Sequence, residues 1–251
     1  MIQKTEAVVL KTLNHGDTSK IITLYSRDMG RLKLIAKGIR SPKSKAAGLF
    51  QPTRHLQVVY YEKANKELQL FKSGELINGF FGLENDFDRL TLAQVVVELV
   101  ERSVEDEEPH PALFDLLVDT LTHLSNKETP SSLAYWHFHL ALLTELGYRP
   151  HVNQCSECGE TFAAEAYLGA QHSQLECTNC HDHSPYSSSV SLDVIRMIQF
   201  LLGESWAVDD RPVLNSLGRK ELWDFLWKYT FYHIESARNM RSLKVLRQLY
   251  G

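Results

Sequence analysis

Two hydrophobic periods divide the chain. Over roughly the first 80 residues, short apolar runs alternate with polar positions in the manner of strands. Thr5–Leu13 carries Ala7, Val8, Val9 and Leu10 and stops at the turn-forming Asn14-His15-Gly16-Asp17; Lys20–Ser26 carries Ile21, Ile22, Leu24 and Tyr25 and stops at Met29-Gly30. Leu32, Leu34 and Ala36 then alternate with Arg31, Lys33, Ile35 and Lys37. Period two sends the first set inward and places Arg31, Lys33 and Lys37 on one outer face. After a turn-rich basic loop, Gly38 to Gly48, His55–Glu62 and Leu68–Lys72 complete five strands. Five short strands in about 80 residues predict a closed barrel of the OB type, a common platform for single-stranded nucleic acid. Tyr25, Phe50, Tyr60 and Tyr61 are its candidate stacking aromatics. Adjacent Tyr60 and Tyr61 must point to opposite faces, so at most one belongs in the core.

Beyond residue 80 the period changes to that of helices. Leu92, Val95, Val96, Leu99 and Val100 form one stripe, and Leu113, Leu116, Leu117, Leu121 and Leu124 a second. The acidic stretch Glu105-Asp106-Glu107-Glu108 between them, ended by Pro109 and Pro111, reads as a solvated loop. A third helix is predicted from about Ser131 to Leu146, with Gly147 as its stop. Val194, Ile195, Ile198, Leu201 and Leu202 mark a fourth. A fifth is apolar on two sides, through Leu222, Phe225, Leu226 and Tyr229 and through Trp223, Trp227 and Phe231, and so belongs in the interior. His137 and His139 fall on different sides of the third helix and read as partly buried polar residues rather than metal ligands. The fold class is α+β and multidomain. A barrel spans 1–80, a helical domain 81–150 and 187–251, and an insertion 151–186.

Charge sharpens this division. The formal net charge is -4, which taken as an average disfavours a nucleic-acid partner. Residues 1–80, however, hold 14 Lys+Arg against 6 Asp+Glu, and residues 81–251 hold 13 against 25, so the balances are +8 and -12. From Arg27 to Lys45 only Asp28 opposes Arg27, Arg31, Lys33, Lys37, Arg40, Lys43 and Lys45. Such a cluster serves either as a solvated face or as a surface for a polyanion. The end of the chain adds Arg238, Arg241, Lys244 and Arg247, which suit a helix C-terminus. No apolar run reaches the roughly 20 residues needed to span a bilayer, and the first residues lack a signal-peptide core, so a cytoplasmic protein without membrane contact is expected.

All four cysteines lie in the insertion, as Cys155-x2-Cys158 and Cys177-x2-Cys180 separated by 18 residues. Paired knuckles of this spacing fit one tetrahedral four-thiolate zinc ion, because a two-residue spacer lets both sulfurs reach the same metal. Disulfides fit a reducing cytosol poorly, while another thiolate-binding metal stays open. Some 30 residues with only Phe162, Tyr167 and Leu168 as core cannot fold without a staple, so the ion is expected to be structural. Four thiolates leave no open position for catalysis. His172, His181 and His183 flank the site as reserve ligands. Neither a G-x-x-x-x-G-K-[ST] loop nor a G-x-S-x-G elbow occurs, which points to a binding protein rather than an enzyme. Fold alone does not choose between DNA and RNA, and an RNA-binding or translation-associated protein is the alternative.

The order of parts resembles one family. Asp17-Thr18-Ser19-Lys20, Met29-Gly30-Arg31-Leu32, the run Ala36-Lys37-Gly38-Ile39-Arg40-Ser41-Pro42-Lys43-Ser44 and Gly48-Leu49-Phe50-Gln51-Pro52 resemble the N-terminal barrel of the RecO family of bacterial recombination mediators. Leu146-Gly147-Tyr148-Arg149-Pro150, leading into Cys155-Ser156-Glu157-Cys158-Gly159, looks like that family's entry into its zinc module, and Arg241-Ser242-Leu243-Lys244 also fits. The resemblance implies a DNA-repair protein that binds single- and double-stranded DNA, anneals complementary strands and partners RecR. It also implies contact with the acidic C-terminal tail of single-strand-binding protein and help in loading RecA. Carried onto matching positions, it implies DNA contact at Arg31, Lys37, Arg40, Lys43 and Lys45, and metal binding at Cys155, Cys158, Cys177 and Cys180.

Overall fold

The computed structural model describes the chain except residues 43, 45, 65, 106–107, 170–173, 185–186, 204–210 and 251, with side chains also left out for 247–250. Two compact units emerge, Met1–Tyr135 with Met240–Leu246, and Trp136–Asn239 with Arg247–Gly251.

In the first unit, β1 (Ile2–His15), β2 (Ser19–Ser26), β3 (Gly30–Ala36), β4 (His55–Tyr61) and β5 (Leu68–Asn78) close into a barrel in the order β1-β2-β3-β5-β4. The long β1 pairs with β4 through Ile2 to Val8 and with β2 through Ala7 to His15. A register shift between Val9 and Lys11 bends it from one partner to the other. Parallel pairing of Lys33 to Ile35 with Leu68 to Leu70 closes the circle. The alternation expected for β3 holds: Leu32, Leu34 and Ala36 are buried, and Arg31 and Lys33 lie on the outer side. Val9, Ile22, Leu24, Leu34, Phe50, Leu56, Val58 and Tyr60 fill the interior.

The same unit contains α1 (Phe87–Ser103), α2 (Pro111–Ser125) and the start of α6 (Ser242–Tyr250). Asp86 caps α1 by accepting the Arg89 amide (3.1 Å). Pro111 opens α2, where a missing N–H costs nothing. Phe114 of α2 packs against Tyr25 and His55 of the barrel, at ring separations of 6.4 and 5.7 Å.

The second unit holds most of α3 (Ser131–Glu145), a three-stranded sheet, α4 (Leu192–Leu201) and α5 (Ser216–His233). The sheet runs β7-β6-β8, from β6 (Ala166–Leu168), β7 (Leu175–Cys177) and β8 (Ser188–Val190). Gly147 ends α3 as expected: at φ 83° its amide reaches Thr144 O, and the Tyr148 amide returns to Leu143 O (2.7 Å). His139 is buried and bonded through Nε2 to Thr230 Oγ1 of α5 (2.6 Å), and burial lowers its pKa to about 3. Among the described residues no helix is long and apolar enough to cross a membrane.

Candidate metal centre and nucleic-acid interface

The four cysteines meet as their spacing predicts. All four are free thiols, and their sulfurs lie within 4.8 Å of one another. The first knuckle is a tight turn in which the Gly159 amide reaches Cys155 O (3.0 Å) and the Cys155 amide reaches Glu160 O (2.8 Å). Gly159 adopts φ 74°, a conformation glycine takes without strain. The second knuckle follows β7, with the Cys180 amide on Cys177 O (3.1 Å). The two are tied together by the Ser156 amide on Leu175 O (3.0 Å) and the Cys177 amide on Cys155 Sγ (3.3 Å).

The electrostatics fit a cation. Burial opposes ionisation of Cys155, but backbone amides of Cys158, Cys177 and Glu157 outweigh it and bring its pKa down to about 6. Hydrogen bonds to Cys158 and Cys177 push Cys180 up to about 12. The backbone amides thus favour one thiolate, and a divalent ion would stabilise all four sulfurs in that form. The donor set and spacing match a thiophilic metal. Of the reserve ligands, His172 lies outside the described residues. His181 and His183 adjoin the second knuckle outside the sulfur cluster. His137 bonds Leu201 O through Nδ1 (3.1 Å), so both α3 histidines serve the helical core.

The basic residues of the barrel separate into two groups. Arg27 is committed to α2, with both Nη atoms on Asp115 (2.6 and 2.9 Å) and its guanidinium over Phe114. Arg31 donates to Glu101 O of α1 (2.8 Å), and Lys33 pairs with Glu67. Lys37 and Arg40 are exposed at the far end of β3. There the Arg40 amide reaches Thr18 O (2.9 Å) and its Nη1 reaches Gly16 O (3.1 Å), which pins the basic loop to the β1–β2 turn. Lys43 and Lys45 lie outside the described residues. Of the four candidate stacking aromatics only Tyr61 is exposed, at 38%; Tyr25, Phe50 and Tyr60 are core. Lys72 Nζ stands 5.7 Å from the centre of the Tyr61 ring. A cation and an exposed ring on adjacent strands suit an unpaired base next to its phosphate.

Comparison with known proteins agrees with this architecture. The model for the recombination protein O N-terminal region matches residues 1–80, and that for its C-terminal region matches 84–243. DNA repair protein RecO of Chlorobium luteolum is 35% identical over 262 residues, covering 99% of each chain. The RecO proteins of Chloroherpeton thalassium and Bacillus pumilus are 28% and 26% identical, the former covering 99% of each chain and the latter all of this chain and 98% of its own. A barrel built on five strands, a helical remainder and a four-thiol cluster, matched from end to end, make the chain a member of the RecO family of DNA repair proteins.

Proposed function

We propose that the protein is a DNA-binding recombination mediator without catalytic activity, acting in the cytoplasm at the nucleoid. In this reading it anneals complementary strands and, with RecR, helps load RecA onto DNA coated by single-strand-binding protein, whose acidic tail it contacts. Its parts are the barrel at 1–80, the helical domain at 81–150 and 187–251, and the metal module at 151–186. The carrying observation is the exposed pair Lys37 and Arg40, held at the β1–β2 turn of a barrel that is net basic in an acidic chain. In sequence the basic run continues through Lys43 and Lys45, and Arg31 and Lys33 add to the positive field of the barrel from within their intramolecular bonds. Neutralising phosphates on two strands lowers the cost of bringing them together, so annealing needs no covalent step. Cys155, Cys158, Cys177 and Cys180 hold one Zn2+, which when bound cross-links the two knuckles; the protein supplies the four sulfurs and the backbone amides around Cys155 that favour ionisation.

The test is the salt dependence of binding to a single-stranded oligonucleotide. Replacing Lys37, Arg40, Lys43 and Lys45 together is expected to lower the slope of log K against log salt by up to about 3, at roughly 0.7–0.9 per lost phosphate contact. An unchanged slope places the DNA path elsewhere, and preference for a matched RNA strand in competition would overturn the assignment to DNA.

A further inference from the structure

The metal module carries a second set of ligand groups, on the opposite face of its small sheet. Side chains alternate along β7, so Glu176 points away from the face that bears Cys177. Glu176 stands directly across from Tyr167 of β6, and the Tyr167 ring lies flat on His181 (4.0 Å between centroids, planes 3° apart). The turn after β7 brings His181 back to this face, with its amide on Cys177 O (3.0 Å). Glu176, His181 and Asp182 thereby place one ligand atom each within 4.8 Å of the others.

The imidazole is the informative member. Its side chain is 5% exposed, and its Nδ1 is buried without a hydrogen-bond partner. Leaving such an atom unsatisfied is costly, and native structures rarely do so. Nδ1 faces Asp182 Oδ1 at 3.7 Å, too long for a hydrogen bond yet a normal separation for two atoms sharing a metal. The Ser184 amide fixes that oxygen (2.9 Å), and Nε2 stands 3.4 Å from Ser187 Oγ, the outer contact that orients a ligating histidine. Gly169 leaves room for the Glu176 carboxylate, since a Cβ there would come 3.0 Å from Oε1. Charge points the same way. Residues 151–186 contain Glu157, Glu160, Glu165, Glu176 and Asp182 and neither lysine nor arginine. We infer that Glu176, His181 and Asp182 form a second divalent-cation site, of nitrogen and oxygen donors, back to back with the four-thiol centre. One imidazole and two carboxylates suit a first-row ion of the Mn2+, Co2+ or Zn2+ class, with water completing its shell.

Titrating the metal-stripped full-length chain with Co2+ separates the two sites. The first equivalent is expected to raise the intense thiolate-to-cobalt charge-transfer band of the four-sulfur centre. The second adds only weak visible absorption, as nitrogen and oxygen ligands give. Asp182→Asn, at an exposed position, and Glu176→Gln should each abolish the second uptake and leave the first intact. Uptake of a single equivalent by the unaltered chain overturns the second site, as does a second equivalent that survives both substitutions. Absence of the charge-transfer band would instead count against the four-thiolate reading, so the two failures are told apart. His181→Ala should behave like the other two; loss of the charge-transfer band in that variant alone would assign His181 to the sulfur centre and overturn the proposal.

Discussion

Arg89 is a charged side chain spent entirely on structure. Only 8% of the residue is exposed. Its Nη1 donates to Leu124 O and Asn126 O (3.0 and 2.8 Å) and its Nη2 to Thr129 O (2.8 Å), so one guanidinium satisfies carbonyls at and just beyond the end of α2. Those oxygens have no helical partner of their own. Arg89→Ala strands several of them, at about 1–3 kcal/mol for each one that water cannot reach, and a loss of roughly 3 kcal/mol in denaturant unfolding is expected. Arg89→Lys should recover only part of it, because an ammonium cannot fork across carbonyls set by a planar group. A loss below about 1 kcal/mol would mean that water replaces the side chain. Nothing in the spacing of α1 marks Arg89 as different from a surface arginine, since its pair with Asp86 (3.3 Å) is an ordinary local one and its carbonyl partners lie 35 to 40 residues away. Tyr60 and Tyr61 are the opposite case. Strand parity alone predicts that they part, and the structure buries Tyr60 to 1% and leaves Tyr61 at 38%.

At the scale of elements, the C-terminal segment is attached by a carboxylate. Glu98 of α1 accepts the amides of Arg241 and Ser242, each at 2.8 Å, at the start of α6, and Met240, Leu243 and Leu246 are buried beside it. Burial would raise the Glu98 pKa, but the Ser242 hydroxyl, the two amides and the charge of Arg102 outweigh it and hold the pKa below the ordinary carboxylate value. A carboxylate depressed in the folded state adds stability that is complete above its unfolded pKa of about 4.3 and is lost as pH falls through the folded value. Amide protection of residues 243–246 should therefore decline in acid below that range. Glu98→Gln should reduce protection at neutral pH by roughly tenfold, the cost of a helix cap, and flatten the acid response. Equal acid sensitivity in both proteins would assign the effect to another group. Sequence periodicity finds α1 but neither α6 nor this bond, whose partners are 143 and 144 residues apart. The basic C-terminal stretch is legible in part. Arg238 donates Nε and Nη2 to Phe231 O in the last turn of α5 (3.1 and 2.9 Å), as a cation at a helix end should.

Across the whole molecule, charge is partitioned along the chain. The barrel balance of +8 and the remainder of -12 are visible in the sequence, as are five strands and two cysteine knuckles, because each is a local pattern. The parallel β3–β5 closure is not, since it depends on which distant strand completes the circle. Neither is the meeting of Glu176 with His181, which needs the β6–β7 register and the stacked Tyr167. Under the proposed function, the partition separates metal binding from DNA binding in a way that experiment can read. Cys177→Ser removes one of four sulfurs from a segment too small to hold its shape by burial alone. Bound Zn2+ should fall, and amide protection should drop over residues 155–180. The barrel has its own closed set of backbone pairs and its own core, so protection of β1 to β5 should persist. A module with five acids and no Lys or Arg neutralises no phosphate, so the salt slope for single-stranded DNA should stay unchanged within error. A slope reduced by one unit or more would show that the metal module shapes the DNA surface after all. An unchanged slope, with metal lost and the barrel intact, would establish that the two sites act independently.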